Sequence, residues 1–61
     1  MIYVVEKQFV DPNHVNYGKV LFYAEFPTEQ EAIDYQKLAD RHEADWGEVF
    51  TIRCESEHYI D

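Results

Sequence analysis

A single cysteine rules out an internal disulfide framework, and it is too few for a structural zinc centre built on four thiolates. Two glycines, Gly18 and Gly47, lie too far apart in sequence to form a glycine-rich phosphate loop. No apolar run approaches the ~18–20 residues of a membrane span. The start, Met1-Ile2-Tyr3-Val4-Val5-Glu6, has neither the basic region nor the long apolar stretch of a signal peptide. Basic side chains are scarce as well, with five Lys and Arg against 13 Asp and Glu and a formal charge of −8. Binding to phosphate backbones is driven by Lys and Arg displacing counterions, so direct contact with nucleic acid is not expected. These absences leave one small, cytoplasmic domain spanning residues 1–61, off the membrane and without a cofactor.

The residues present argue for a folded core. The chain is 46% apolar and 16% aromatic, with five Tyr, four Phe and one Trp, which is not a disordered composition despite its charge. A domain of this length buries only about 60% of the surface its unfolded chain exposes. That leaves no room for a pocket of ~300 Å³ or more with a supporting shell, the usual requirement of an enzyme of small metabolites.

Residues 2–10 read as a strand. Ile2, Tyr3, Val4, Val5, Phe9 and Val10 are β-branched or aromatic, and both alternation sets start apolar, as in a central strand. Asp11-Pro12-Asn13-His14 is a turn cluster, and Gly18 supplies the backbone freedom to re-enter a hairpin. Residues 19–26 form the second strand, stopped by Pro27. Thr28-Glu29-Gln30-Glu31 is a capping box, and Glu29 and Glu31 also suit the positive end of a helix dipole. The helix is expected over 29–45, ending before Gly47. Ala32, Tyr35, Leu38, Ala39, His42 and Trp46 fall in one stripe as its buried face, with Ile33 off that stripe. Residues 48–55 form a third strand, and the polar end, 56–61, either frays or extends it. The handover from Phe26 to Ile33 is common in small proteins of this order and specific to no family.

The order β-β-α-β predicts an α+β fold with a three-stranded antiparallel sheet, strand order 2-1-3, and the helix on one face. Simple alternation places Val20, Phe22, Ala24, Phe26, Phe50, Ile52 and Cys54 under the helix. Leu21, Tyr23 and Val49 then lie on the opposite face, with either Ile2 and Val4 or Tyr3 and Val5. Nothing in the sequence covers that face. Contiguous apolar area of this kind marks an interface, and Tyr3 and Tyr23 are of the residue type enriched at interface centres. Tyr3, Leu21, Tyr23 and Val49 are therefore candidate contacts for a homodimer or a second partner. The alternative is a half-wet sheet with isolated aromatics.

The charge is concentrated. From Glu25 to Glu48 there are eight acids against Lys37 and Arg41, a net of −6, and the rest of the chain carries −2. Glu29, Glu31, Asp34, Asp40, Glu43, Asp45 and Glu48 form the candidate acidic face, bordering the buried stripe in two ribbons. The plain reading is a solvated helix face, partly offset by i,i+4 ion pairs of Lys37 and Arg41. The functional reading is a surface that imitates spaced phosphates before a Lys/Arg groove.

Other chemistry is thinly supported. Cys54 and His58 have a C-x3-H spacing and His42 adjoins Glu43, but no second metal-ligand pair accompanies them, and Cys54 reads as a small apolar residue. A Cys54 nucleophile with a histidine base lacks an oxyanion donor. The expectation is a non-enzymatic interaction protein, with no metal, that acts as an inhibitor or modulator by binding a basic partner surface. Small free-standing acidic proteins of this kind are frequent among phage and mobile-element products that block host nucleic-acid enzymes or defence systems, and a chain starting at Met with no linker fits a complete product of that class. The alternative is a housekeeping accessory or structural subunit, or a homodimer assembled through the sheet face.

Overall fold

A computed structural model describes residues 1–55. The expectations for the tail 56–61, His58 among them, fall outside the described residues. Three strands, β1 (Ile2–Phe9), β2 (Val20–Phe26) and β3 (Glu48–Glu55), and one helix, α1 (Glu29–His42), follow one another as β1-β2-α1-β3. The sheet is antiparallel throughout with spatial order β2-β1-β3, so the strand rich in apolar residues on both faces is central. The expected α+β fold and strand order are both present.

The β1–β2 connection is built from its own polar groups. Asp11 Oδ1 accepts from the Asn13 amide at 2.8 Å, and the Asp11 carbonyl accepts from the His14 amide at 2.9 Å. Gly18, at φ +88°, returns the chain so that its amide meets the Phe9 carbonyl at 3.1 Å.

One irregularity decides which side chains face the helix. Val5 pairs with Ala24 but Glu6 pairs with Phe22, so Tyr23 is an extra residue in β2, a β-bulge. Every residue of β2 before Tyr23 thereby changes face relative to strict alternation. Tyr23 packs against the core instead of lying on the far face, its ring edge-on to Phe50 at 4.8 Å and 83°. Leu21, paired with Lys7, shares the helix side, while Val20 and Phe22 turn to the open face. This corrects the expected positions of Val20, Leu21, Phe22 and Tyr23. From β1 it is Tyr3, Val5, Lys7 and Phe9 that face the helix, leaving Ile2 and Val4 on the open face.

The core is small. Val5, Ala32, Ala39 and Phe50 are buried together, with Tyr3, Tyr23, Phe26, Tyr35, Ala44 and Ile52 packed around them. Thr28 caps α1 through its hydroxyl, which accepts from the Glu31 amide at 3.3 Å and meets the Glu31 carboxylate at 2.9 Å. The helix is shorter than its apolar stripe implies, ending at His42 rather than near Asp45. Asp45 and Glu48 claim the backbone beyond it. The Asp45 amide donates to Glu48 Oε1 at 2.9 Å, and the Glu48 amide donates to the Asp45 carbonyl at 3.0 Å. Gly47, at φ +75°, serves the turn into β3 rather than ending the helix. Leu38, His42 and Trp46 are exposed, because Ala32 and Ala39 set the inward side of α1 and Gln36 takes a place on it, its amide donating to the Phe50 carbonyl at 2.8 Å.

Candidate interaction surface

Of the candidate acids, Glu29, Glu31, Asp34, Asp40, Glu43 and Asp45 are exposed. Helical geometry with Ala32 and Ala39 inward sets Glu29, Asp40 and Glu43 along one flank of α1 and Glu31 along the other. Asp34, Lys37 and Arg41 lie on the outer crest. Asp34 accepts from the Gln30 amide at 3.0 Å. The expected i,i+4 ion pairs do not form: among the described residues, Lys37 and Arg41 have no salt bridge to a helix carboxylate. Among the described residues, the helix acids therefore have no cation within salt-bridge distance. Asp45 is tied into its turn, where Oδ1 accepts from the Trp46 amide at 2.7 Å.

Glu48 does not belong to this surface. Its side chain is turned inward, with Oε1 3.0 Å from the Lys7 ammonium and Oε2 3.3 Å from His14 Nε2. Lys7, nine-tenths buried, lies within 5.3 to 6.0 Å of the ring centres of Tyr23, Phe50 and Phe9. Hydrogen bonding to Tyr23 and then to Glu48 raises the Lys7 pKa against the opposing effect of burial. The Asp45 amide, followed by Lys7, holds the Glu48 carboxyl below its ordinary value. The Asn16 amide donates to His14 Nδ1 at 3.0 Å, which assigns the Nε2 proton to the contact with Glu48. His14 also stacks on Trp46, 5.8 Å between ring centres and 15° between planes. This cluster joins the first turn to the approach to β3, and sequence reasoning missed it. The available signal was a lysine set between Val5 and Phe9 in the apolar alternation of β1.

The open face of the sheet is not the continuous apolar surface expected. Ile2, Val20, Phe22 and Val49 share it with Glu6, Gln8, Glu25, Thr51, Arg53 and Glu55, while Val4, on the same side, is only 2% exposed. Arg53 forks onto both oxygens of Glu6, at 3.4 and 3.2 Å, and also pairs with Glu55, and these acids raise its pKa further. Gln8 donates to Thr51 Oγ1 at 3.1 Å. Of the four sheet-face candidates, only Val49 lies on this face. Tyr3 and Tyr23 pack into the core, and Leu21 is exposed on the helix side.

Two shallow hollows are present, one of about 210 Å³ at the strand-to-helix junction (Ile2, Glu25, Phe26, Pro27) and one of about 190 Å³ at the end of the helix (Tyr35, Leu38, Ala39, His42, Glu43). Both are below the size of common small-molecule sites. Among the described residues no three of His, Cys, Asp and Glu gather where one ion would bind. Cys54 is exposed with Sγ 3.6 Å from Met1 Sδ. Among the described residues, no helix is long and apolar enough to cross a membrane. The chain matches no known protein family, no curated protein and no solved structure.

Proposed function

We propose that this chain is a non-enzymatic, cytoplasmic interaction protein whose helix docks its carboxylates on a basic surface of a partner protein, as an inhibitor or modulator. One observation supports the reading: among the described residues the exposed acids of α1 have no cation within salt-bridge distance, so their field is directed outward. Five carboxylates, from Glu29 to the C-cap Glu43, occupy a helix about 22 Å long. One strand of B-form DNA sets about six phosphates along the same length at ~3.4 Å each. Three of the five, Glu29, Asp40 and Glu43, share one flank, about half the density of one phosphate strand, and the crest cations Lys37 and Arg41 keep the imitation partial. A Lys/Arg groove of a nucleic-acid enzyme or a defence protein is the partner chemistry this pattern suits, the kind a phage or mobile-element product would engage.

The test uses affinity capture from the native host's lysate, with the native chain and a variant carrying Asp34→Lys, Asp40→Lys and Glu43→Lys. These three positions spare the Thr28–Glu31 cap and the Asp45 turn. A binder held by the native chain at low salt, released by high salt and missed by the variant is expected, because exposed charges are screened over about 8 Å at physiological ionic strength. A binder retained equally by the variant overturns the reading.

A further inference from the structure

His14 is held at both ring nitrogens, and the two contacts make opposite demands on a proton. The Asn16 amide, in the same connection, donates to Nδ1 at 3.0 Å. Nε2 lies 3.3 Å from Glu48 Oε2 at the start of β3. The ring sits between Phe9, with 4.8 Å between centres, and Trp46, with 5.8 Å. Its side chain is 13% exposed, which gives solvent a way in but leaves the ring little room to turn to other partners.

A neutral imidazole has one N–H and one lone pair, and both are in use here, the lone pair toward Asn16 and the N–H toward Glu48. An imidazolium has two N–H groups and no lone pair. The added proton comes from solvent and binds at Nδ1, where the Asn16 N–H already points. Two N–H groups cannot share a hydrogen bond, so this contact is lost. At Nε2 the contact with Glu48 becomes a charge-assisted pair.

Charged and titratable groups lie around His14 on each element packed against it. β3 supplies Glu48, and β1 supplies Lys7, 3.0 Å from the other oxygen of Glu48. Behind Lys7, β2 supplies Tyr23, hydrogen-bonded to it. The turn before β3 supplies Asp45, whose Oδ1 accepts from the Trp46 amide and whose own amide donates to Glu48. The connection itself supplies Asp11, whose Oδ1 accepts from the Asn13 amide. Histidine is the side chain whose ordinary charge change falls between about pH 5 and 8. Glu48, held below its ordinary 4.5, and Lys7, held above its ordinary 10.5, keep their charges across that range. The carboxylate that receives an imidazolium is therefore already in place there.

We propose that His14 is a proton-operated latch, which when neutral ties the β1–β2 connection to itself through Asn16, and when charged releases Asn16 and grips β3 through Glu48. The released stretch is short. The Asp11 carbonyl holds the His14 amide at 2.9 Å, and the Phe9 carbonyl holds the Gly18 amide at 3.1 Å. Neither bond involves the ring, so both ends of the stretch stay in place. Between them Val15 and Tyr17 are 91% and 56% exposed, with little packing to hold the backbone once the Asn16 bond is gone. Two turn bonds cross the stretch, from the Tyr17 amide to the His14 carbonyl and from the Lys19 amide to the Asn16 carbonyl. Mild acid therefore loosens residues 15–17 without unfolding the connection. The latch is independent of the acidic-helix reading, because it involves no residue of α1.

Nitrogen-15 NMR of the labelled native chain between about pH 8 and pH 5 tests it. His14 Nδ1 is expected to change from an acceptor to a protonated nitrogen. The Asn16 amide signal is expected to move with the same midpoint, and its protection from hydrogen exchange to fall about fivefold, the worth of one such bond. The Gly18 amide is expected to keep its protection. His14→Gln, with its fold checked by circular dichroism, is expected to lose the Asn16 transition. An Asn16 amide that stays protected while His14 takes up its proton overturns the latch, and so does a His14 that stays neutral to pH 5 in the folded chain. An Asn16 transition that persists in His14→Gln, or an equal loss of protection at Gly18, overturns it as well.

Discussion

The Lys7 ammonium and the Glu48 carboxylate meet at 3.0 Å beneath three aromatic rings, joining the end of β1 to the start of β3. A cation at this depth is tolerated because it is paired, and its aliphatic stem lies along apolar surface.

This pair gives stability a pH profile with two limbs. The Lys7 pKa is raised above its ordinary 10.5, so its contribution is full below that value and is lost as pH climbs through the folded pKa. The Glu48 pKa is lowered below its ordinary 4.5, so its contribution is present above that value and is lost as pH falls through the folded pKa. Thermal melts across pH are expected to show a plateau with losses at both ends. The Lys7→Met variant is expected to have a shallower alkaline limb than the native chain. Identical alkaline limbs would remove Lys7 from this role.

The two glycines are expected to differ under the same substitution. Both have positive φ, which costs a non-glycine residue about 1–2 kcal/mol. Around Gly18 the space is open. At Gly47 an added Cβ would lie 2.9 Å from Asp11 Cβ and 3.3 Å from His14 Cδ2. Gly47→Ala is therefore expected to lower urea stability by more than Gly18→Ala, and equal losses would contradict the close packing of the two turns.

The bulge predicts a reversal in β2. Strict alternation makes Phe22 the core residue and Tyr23 the surface one. The structure expects Tyr23→Ala to cost about 2 kcal/mol or more through its contacts with Phe50 and Lys7, and Phe22→Ala to cost under about 0.5 kcal/mol. Chemical denaturation of the two variants gives the comparison directly.

At the start of the helix, Thr28→Ala removes the acceptor for the Glu31 amide. A loss of about 1 kcal/mol is expected by the same measurement. Thr28→Ser, which keeps the oxygen, is expected to lose far less.

The order and pairing of the strands were legible in sequence because they rest on strong local signals. These are the doubly apolar start of β1, Pro27 closing β2 and the Thr28–Glu31 box opening the helix. Two features were not. Nothing in Val20-Leu21-Phe22-Tyr23-Ala24 marks where a bulge falls, since each of these residues suits either face. The choice of Tyr23 depends on the room beside Phe50 and Lys7, which is tertiary. The helix end was misplaced for a related reason. Apolar spacing continues to Trp46, but Asp45 and Glu48 offer the backbone a competing turn, and Trp46 has His14 to stack on. The exposure of the helix acids was legible, but their arrangement was not: Asp34 lies on the crest, Asp45 in a turn beyond the helix, and Glu48 turns inward to Lys7, which comes from a strand distant in sequence.

The central position of β1 also bears on the cost of assembly. Its ladder with β2 closes through one short connection, whereas its ladder with β3 pairs Ile2 with Glu55, almost the full described length away. Closing so long a stretch costs more chain entropy than closing the β1–β2 connection, so of the two ladders of β1 the one with β2 is the cheaper to form. Without β3 in place, β1 would be an edge strand with a row of unpaired backbone groups on one side, so closing that distant ladder is also what removes the open edge from the middle of the sheet.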